Sequence, residues 1–479
     1  MCQRFFAACF VLGLAFAAHA ELPPSVSARL SAAGIPEEAV GVIVERLSDG
    51  ARLLAHGADR SLAPASTMKV VTSWIALERL GPAYRGRTEL RAVGRIDRDV
   101  LHGDLVLRGL GDIDLDWRAF ERMLEQLRHR GVREIRGDLV LDRSFFMPAR
   151  TDVGVPPFDE APEFRYNVIP DALLLNTNLM QVDLSSGSDT LTVALATPLE
   201  RVSIAAEMGL VERACDDWED GWKIPAVVAS RGGAMQVVLQ GNFPRNCTTS
   251  TSINVIDRVA FAERLYRALW SRMGGVHRGR VRDGETGAAG TLMAEHKSRP
   301  LTDVLRDVNK QSDNPIARVL FLTMGALSPE GAGKPTALRA EAEVRGWFER
   351  KGIDTTGLVL ENGSGLSRSE RLTPLQLAGV LRAAANGPWS PEFVSSLPIA
   401  GLDGTLRKRL RGEAPARIRA KTGTLRDTSA IAGYVHTDGG ETRIVAAIVN
   451  HPLATRQVAR PILDELLQWA ASQPDRLAP

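Results

Sequence analysis

Residues 62–81 read LAPASTMKVVTSWIALERLG. Pro64 and Ser66 punctuate the start of a helix, apolar residues recur at Val70, Val71, Trp74, Ile75 and Leu77, and Gly81-Pro82 stops it. Ser66 and Lys69 stand three apart and therefore share one helix face, with the amine one turn below the hydroxyl. Of the eight lysines in the chain, only Lys69 has a serine three residues before it. A serine hydroxyl is a weak nucleophile until a base removes its proton. Lysine can be that base only when neutral, which burial and nearby positive charge both favour. A serine at a helix start also faces free backbone N–H groups, which favour a developing oxyanion. The bland alternative for Lys69 is an ordinary surface charge.

Two later segments carry compatible chemistry. In NKQSDNPIARVLFL, residues 309–322, Ser312 and Asn314 precede Pro315, a residue suited to a first helical position. Both then stand at a helix entrance, where a hydroxyl can relay a proton and an amide can hold a substrate carbonyl and a lysine. A rival Ser252-Ile253-Asn254 reads instead as turn and cap residues before the helix VIDRVAFAERLYRALW. Lys421-Thr422-Gly423-Thr424 lies in a strand-like run. There a lysine offers a fixed cation to a carboxylate, and glycine lets a substrate backbone approach. An extended substrate could pair along this strand, with the Thr424 N–H joining that of Ser66 as oxyanion donors. The alternative is an edge strand with a protective lysine.

Around these segments the chain has 479 residues, enough for two or three domains, with 44% hydrophobic and 24% charged residues, as in a globular protein. The net charge is +2 and the signs are mixed, which argues against a nucleic-acid partner. Residues 1–20, with Arg4, an apolar run and Ala18-His19-Ala20, read as a cleaved signal peptide, so the mature chain is expected to start at Glu21 and to reside in the periplasm. A membrane anchor is the alternative for this segment. No later stretch is long and apolar enough for a transmembrane anchor. Cys2 and Cys9 leave with the leader. Cys215 and Cys247 remain, and in an oxidising compartment they are expected to form a disulfide, with two buried thiols as the alternative.

AVGVIVERLSDGARLLAHGAD, residues 39–59, reads as two strands joined at Asp49-Gly50. Residues 416–450 contain three strand-like runs, and ATRQVARPILDELLQWAAS follows as an amphipathic helix. The two ends of the chain can therefore share one antiparallel sheet flanked by helices. From about Arg87 to Gly290 the sequence is mostly short strands with Gly and Asp turns. It reads as a mostly-β insertion into a split α+β domain.

Ser-x-x-Lys, Ser-x-Asn and Lys-Thr-Gly in this order resemble the signature of active-site-serine β-lactamases and penicillin-binding proteins. The spacing chooses between them. Ser66 and Ser312 lie 246 positions apart (312 − 66), far too many for a compact β-lactamase, whereas Ser312 and Lys421 lie 109 apart. With GDLVLRGLGDIDL, GDLVLDRSFF, ENGSGLSRSERLTP and SLPIAGLDGTLRKRL, the chain resembles the D-alanyl-D-alanine carboxypeptidase/endopeptidase family of penicillin-binding protein 4, class C low-molecular-mass proteins. The resemblance implies a β-lactamase/transpeptidase-like domain at 21–88 and 291–479. It is split by an inserted domain at 89–165 and 262–290 that itself holds a nested domain at 166–261. It implies peptidoglycan stem peptides as substrate, β-lactams as covalent inhibitors, and no cofactor or metal. Ser66 would be the acylated nucleophile and Lys69 its base, with Ser312 and Asn314 in proton relay and substrate holding. Lys421, Thr422, Gly423 and Thr424 would bind the substrate's carboxylate and acyl carbonyl. Asp142 resembles a contact to the diaminopimelate side chain, or is a turn aspartate at a strand end. Arg368 and Arg426 would line the same groove. The competing functions are a serine β-lactamase and a catalytically idle cell-wall scaffold.

Overall fold

The structure is a computed structural model that describes residues 21–154, 161–411 and 417–475. The expected leader, 1–20, lies outside the described residues. A five-stranded antiparallel sheet runs in the order Ile418–Leu425, Thr428–His436, Thr442–Asn450, Val40–Arg46, Arg52–His56. The two ends of the chain meet inside it, with Val40 opposite Val449 and Arg46 opposite Arg443. The inner strands Thr428–His436 and Thr442–Asn450 are buried over nearly their whole length. Their unbroken apolar runs follow from having both faces covered. Helices Pro24–Ala32 and Arg456–Ser472 cover one face. Helices Met68–Leu80, Leu301–Lys310, Asn314–Leu327, Thr336–Arg350 and Pro374–Ala385 build the core on the other.

Local chemistry sets where these helices begin and end. Met68–Leu80 is preceded by a single 3₁₀ turn, Ala65–Thr67, and stops at Gly81, whose φ of +83° a side chain would resist. Asn314–Leu327 is capped by Asp313, whose Oδ1 accepts from the Ile316 N–H at 2.9 Å, with Pro315 in the first turn. Pro374–Ala385 opens with a reciprocal capping box between Thr373 and Gln376.

The inserted block leaves and rejoins through neighbouring strands. Arg87–Asp97 pairs with Val100–Leu110 on one side and with Thr291–Lys297 on the other, within a seven-stranded sheet. The edges expected at 88 and 291 thus fall inside this strand pair, and hydrogen bonding carries the block's sheet through Lys297. Two three-stranded sheets follow. One joins Thr248–Ile253, Met180–Ser186 and Leu191–Leu195; the other joins Trp222–Ala229, Met235–Pro244 and Val202–Val211. One apolar core, including Leu105, Leu141, Met180, Val237 and Phe261, runs through both expected inserted units. A disulfide joins Cys215 and Cys247 in this block. The rival Ser252 lies within strand Thr248–Ile253, and Asn254 Oδ1 accepts from Asn178; the helix Arg258–Arg272 is capped by Asp257 instead. The three-residue difference in where the cap falls, from Asn254 to Asp257, was beyond the turn signals of that stretch.

Candidate active site

Three distant segments converge on the turn before helix Met68–Leu80. Lys69 is 0% exposed, and its Nζ lies 3.0 Å from Ser66 Oγ, 2.6 Å from Asn314 Oδ1 and 2.6 Å from the Ser364 carbonyl. The amide oxygen and the carbonyl can only accept, so they take two N–H groups of the amine. The position left over faces Ser66, the one partner of the three that can itself donate. A neutral Lys69 with its lone pair toward the Ser66 O–H satisfies every contact. Burial lowers the Lys69 pKa from 10.5 to about 7, against the opposing pull of the Asp313 and Glu370 carboxylates, a shift of roughly 5 kcal/mol against the ammonium form. An amine with that pKa is partly unprotonated at neutral pH, as a general base would have to be.

A second amine stands on the opposite side. Lys421 is also fully buried, donates to Ser312 Oγ at 2.9 Å and to the Thr422 carbonyl at 2.7 Å, and is held well below its ordinary pKa by burial and by Lys69. Ser312 adopts a left-handed φ of +61° between two helices. Asn314 Nδ2 donates to the Tyr166 carbonyl at 3.0 Å, which ties the inserted block to the site. Arg165 adds an ion pair of 2.8 Å to Asp313.

The strand Ile418–Leu425 is the edge of its sheet. Residues 398–400 cover only its first part, through the bonds Ala400 N–H to Ile418 O and Ala420 N–H to Pro398 O. Thr422, Gly423 and Thr424 follow that covered stretch, Thr422 Oγ1 donates to Thr405 Oγ1 at 2.7 Å, and Thr424 lines the cleft. A Cβ on Gly423 would stand 2.8 Å from Pro64 O and 3.1 Å from Ser66 N. The strand can pass Ser66 this closely because position 423 has no side chain. Gly365 is tighter still: a Cβ there would lie 1.7 Å from Ala65 O. Ala65 itself has a φ of +45°, so the residue before Ser66 is held in a conformation that costs about 1–2 kcal/mol. Strain of this kind persists only where the surroundings over-determine the backbone.

These residues open on a cleft of about 400 Å3 lined by Ser66, Tyr166, Ser312, Asn314, Gly365, Leu366, Arg368, Thr424, Leu425, Arg426 and Arg456. Arg368 and Arg426 are therefore brought to the site, with Arg368 4.0 Å from Asp427. Asp142 is not among the lining residues. It is wholly buried, and its carboxylate accepts from the Ser144 N–H and Oγ, the Thr286 N–H and Oγ1, and the Gly287 N–H. These bonds hold its pKa below the ordinary carboxylate range although burial pushes it up. In this structure it organises two turns, the strand-end alternative for that residue.

Sequence reasoning missed Tyr166, Ser364, Gly365, Glu370 and Arg456. The glycine-serine run at 363–365 was a usable signal for Gly365, since glycine permits close backbone approach. Ser364 acts through its carbonyl and leaves no trace in side-chain chemistry.

An antiparallel sheet closed by both chain ends, with a serine turn beneath its edge strand, is the architecture of the β-lactamase/transpeptidase class. The sequence model of the D-Ala-D-Ala carboxypeptidase 3 (S13) family matches residues 22–473. The chain is 30% identical over 472 residues to a D-alanyl-D-alanine carboxypeptidase of Actinomadura sp. (strain R39), covering 95% of this chain and 86% of that protein. It is 27% identical over 421 residues to the D-alanyl-D-alanine carboxypeptidase DacB of Haemophilus influenzae, covering 86% and 85% of the two chains. The crystal structure of penicillin-binding protein 4 from Haemophilus influenzae superposes with a TM-score of 0.74 at 25% identity, covering 92% of this chain and 99% of that one. The chain belongs to the D-Ala-D-Ala carboxypeptidase 3 (S13) family of serine hydrolases.

Proposed function

We propose that this protein is a penicillin-sensitive serine DD-carboxypeptidase/DD-endopeptidase that acts on peptidoglycan stem peptides through an acyl-enzyme at Ser66. The observation that carries the proposal is the buried amine of Lys69, 3.0 Å from Ser66 Oγ with its other two contacts taken by pure acceptors. Family membership supports the substrate class.

The substrate's terminal D-Ala-D-Ala lies extended along Thr422–Thr424, continuing the edge of the sheet by main-chain pairing. The Ser66 and Thr424 N–H groups receive the acyl carbonyl oxygen, and Lys421 with Thr422 faces the terminal carboxylate. Lys69 Nζ takes the Ser66 proton as Oγ attacks the carbonyl carbon, and the tetrahedral oxyanion forms against the two N–H groups. The proton then passes to the leaving amine by way of Ser312 Oγ, which Lys421 Nζ holds at 2.9 Å. The C–N bond breaks, releasing D-alanine or the amine of a diaminopimelate cross-link. Water attacks the ester, Lys69 serves again as base, and Ser66 is regenerated. Asn314 holds both Lys69 and the substrate.

β-Lactams present the same acyl carbonyl and would be trapped as the Ser66 ester. A Haemophilus influenzae relative has been solved in complex with a β-lactam. No described helix is long and apolar enough to cross a membrane. The leader-like residues 1–20 carry our reading of an exported, periplasmic protein. Purified protein incubated with monomeric pentapeptide and with cross-linked muropeptides tests the assignment. Release of D-alanine or of uncross-linked peptides is expected from wild type and not from Ser66→Ala. Turnover retained in Ser66→Ala, or no product from either substrate with wild type, would overturn it.

A further inference from the structure

Glu370 lies outside the cleft and is 0% exposed. Its Oε1 accepts the backbone N–H groups of Glu361 at 3.2 Å, Asn362 at 2.9 Å and Gly363 at 2.7 Å, and its Oε2 accepts that of Gly365 at 2.8 Å. Four donors from five consecutive residues wrap one carboxylate. Asn362 Oδ1 closes the loop from inside by accepting from Ser364 N and Oγ. With its N–H groups gathered inward, the loop turns two carbonyls toward the helix that carries the base. Ser364 O takes an N–H of Lys69 at 2.6 Å, and Gly363 O takes the Thr72 hydroxyl at 2.6 Å, three residues further along that helix.

Building on the reading of Lys69 as the base, we propose that Glu370 is a positioning residue for it. Its carboxylate fixes loop 361–365 in the shape that sets the Ser364 carbonyl on Lys69 and leaves the amine's lone pair for Ser66. The four hydrogen bonds to Glu370 all come from N–H donors, a setting that favours the ionised form. Burial raises its pKa and the four N–H groups oppose the rise. Its charge also bears on Lys69. The charged groups that act on this amine are Asp313 from the cap of helix Asn314–Leu327 and Glu370 from the loop, which both favour the ammonium form; Lys421 on the edge strand is itself held well below its ordinary pKa by burial and by Lys69. Arg318, buried on the same helix as Asn314, lies within the field of Glu370 and Glu361.

A carboxylate that merely stabilised a loop would affect melting alone. The test therefore reads Lys69 itself, by carbon-13 NMR of the full chain carrying labelled lysine Cε, with the Lys69 signal identified by its absence in Lys69→Arg. In Glu370→Gln the midpoint of the Lys69 titration should fall by about one pH unit, since a favourable charge is removed. Acylation by a fluorescent penicillin at pH 8.5, where Lys69 is neutral in both proteins, should slow by about tenfold because the carbonyl is no longer held in place. A folded Glu370→Gln protein with an unmoved midpoint and acylation within about twofold of wild type would overturn the proposal. Should Glu370→Gln fail to fold, Glu370→Asp decides: it keeps the charge but withdraws the carboxylate by one methylene. Slowing by about tenfold with the midpoint unmoved supports the proposal, and wild-type acylation overturns it. If wild type is not acylated at Ser66, the proposed function fails, while the Lys69 titration still tests Glu370.

Discussion

Lys421 Nζ donates to Ser312 Oγ across 2.9 Å, although 109 positions of chain separate the two residues. Lys421 rides on the edge strand of the sheet, and Ser312 on the left-handed link between two helices. Their contact supplies a hydroxyl whose hydrogen is free to move, because the amine donates and the hydroxyl accepts. Ser312→Ala should leave the fold and the Lys69–Ser66 contact intact and slow acylation by about 10²-fold, the value of one positioned proton carrier. Stopped-flow acylation by a penicillin measures this, and an unchanged rate would remove Ser312 from the relay.

Lys69→Arg retains a cation but cannot supply a base, because guanidinium does not lose its proton in proteins. Acylation should fall by at least about 10³-fold. Intact mass measured after a long incubation with penicillin checks this. An adduct formed at the wild-type rate would show that the proton of Ser66 goes elsewhere.

The glycine at 365 is held to its place by contact with Ala65, the residue before Ser66. Gly365→Ala would set a methyl 1.7 Å from Ala65 O at a backbone φ of +76°. We expect a loss of about 1–3 kcal/mol in stability by thermal or denaturant unfolding, and a larger loss in acylation, because the displaced backbone carries Ser66. Gly352→Ala also faces a positive φ of +66°, yet has no atom within 4 Å of the added carbon, and serves as the control for strain alone. Equal losses of acylation in both variants would contradict the account.

The bond between Cys215 and Cys247 closes a loop of 32 positions inside the inserted block. Replacing both cysteines by serine should cost about 3–4 kcal/mol of stability on the chain-entropy estimate. The acylation rate of the folded fraction should not change, since neither cysteine lines the cleft. Urea unfolding followed by near-ultraviolet dichroism, with the acylation rate alongside, checks both halves.

These particulars show where reading the sequence stops. The helix at 68–80, the meeting of the two chain ends in one sheet, and the joint presence of Ser66, Lys69, Ser312, Asn314 and Lys421 were legible, because each depends on a residue type at a fixed local spacing. Gly423 was legible for the same reason. Tyr166 was not, because its contribution is a backbone carbonyl brought by the inserted block to Asn314 Nδ2. Glu370 was hidden by its environment: a glutamate in a polar run reads as exposed, and only the fold reveals that the loop closes over it. Asp313, between two residues singled out for chemistry, does the capping that could have been assigned to either neighbour. The join at Thr291–Lys297 escaped because strand pairing with Arg87–Asp97 spans about two hundred residues and leaves no local mark.

The claim on which the chemistry depends is that Lys69 is uncharged when Ser66 reacts. The rate constant for acylation of Ser66 by a penicillin, measured from pH 5 to pH 9 on the intact protein, tests it directly. Because the reactive form is the unprotonated one, the rate should rise through the Lys69 pKa of about 7 and level off above it, falling about tenfold for each pH unit below. A rate that stays level down to about pH 5, far under the range of any lysine in water, would contradict the account.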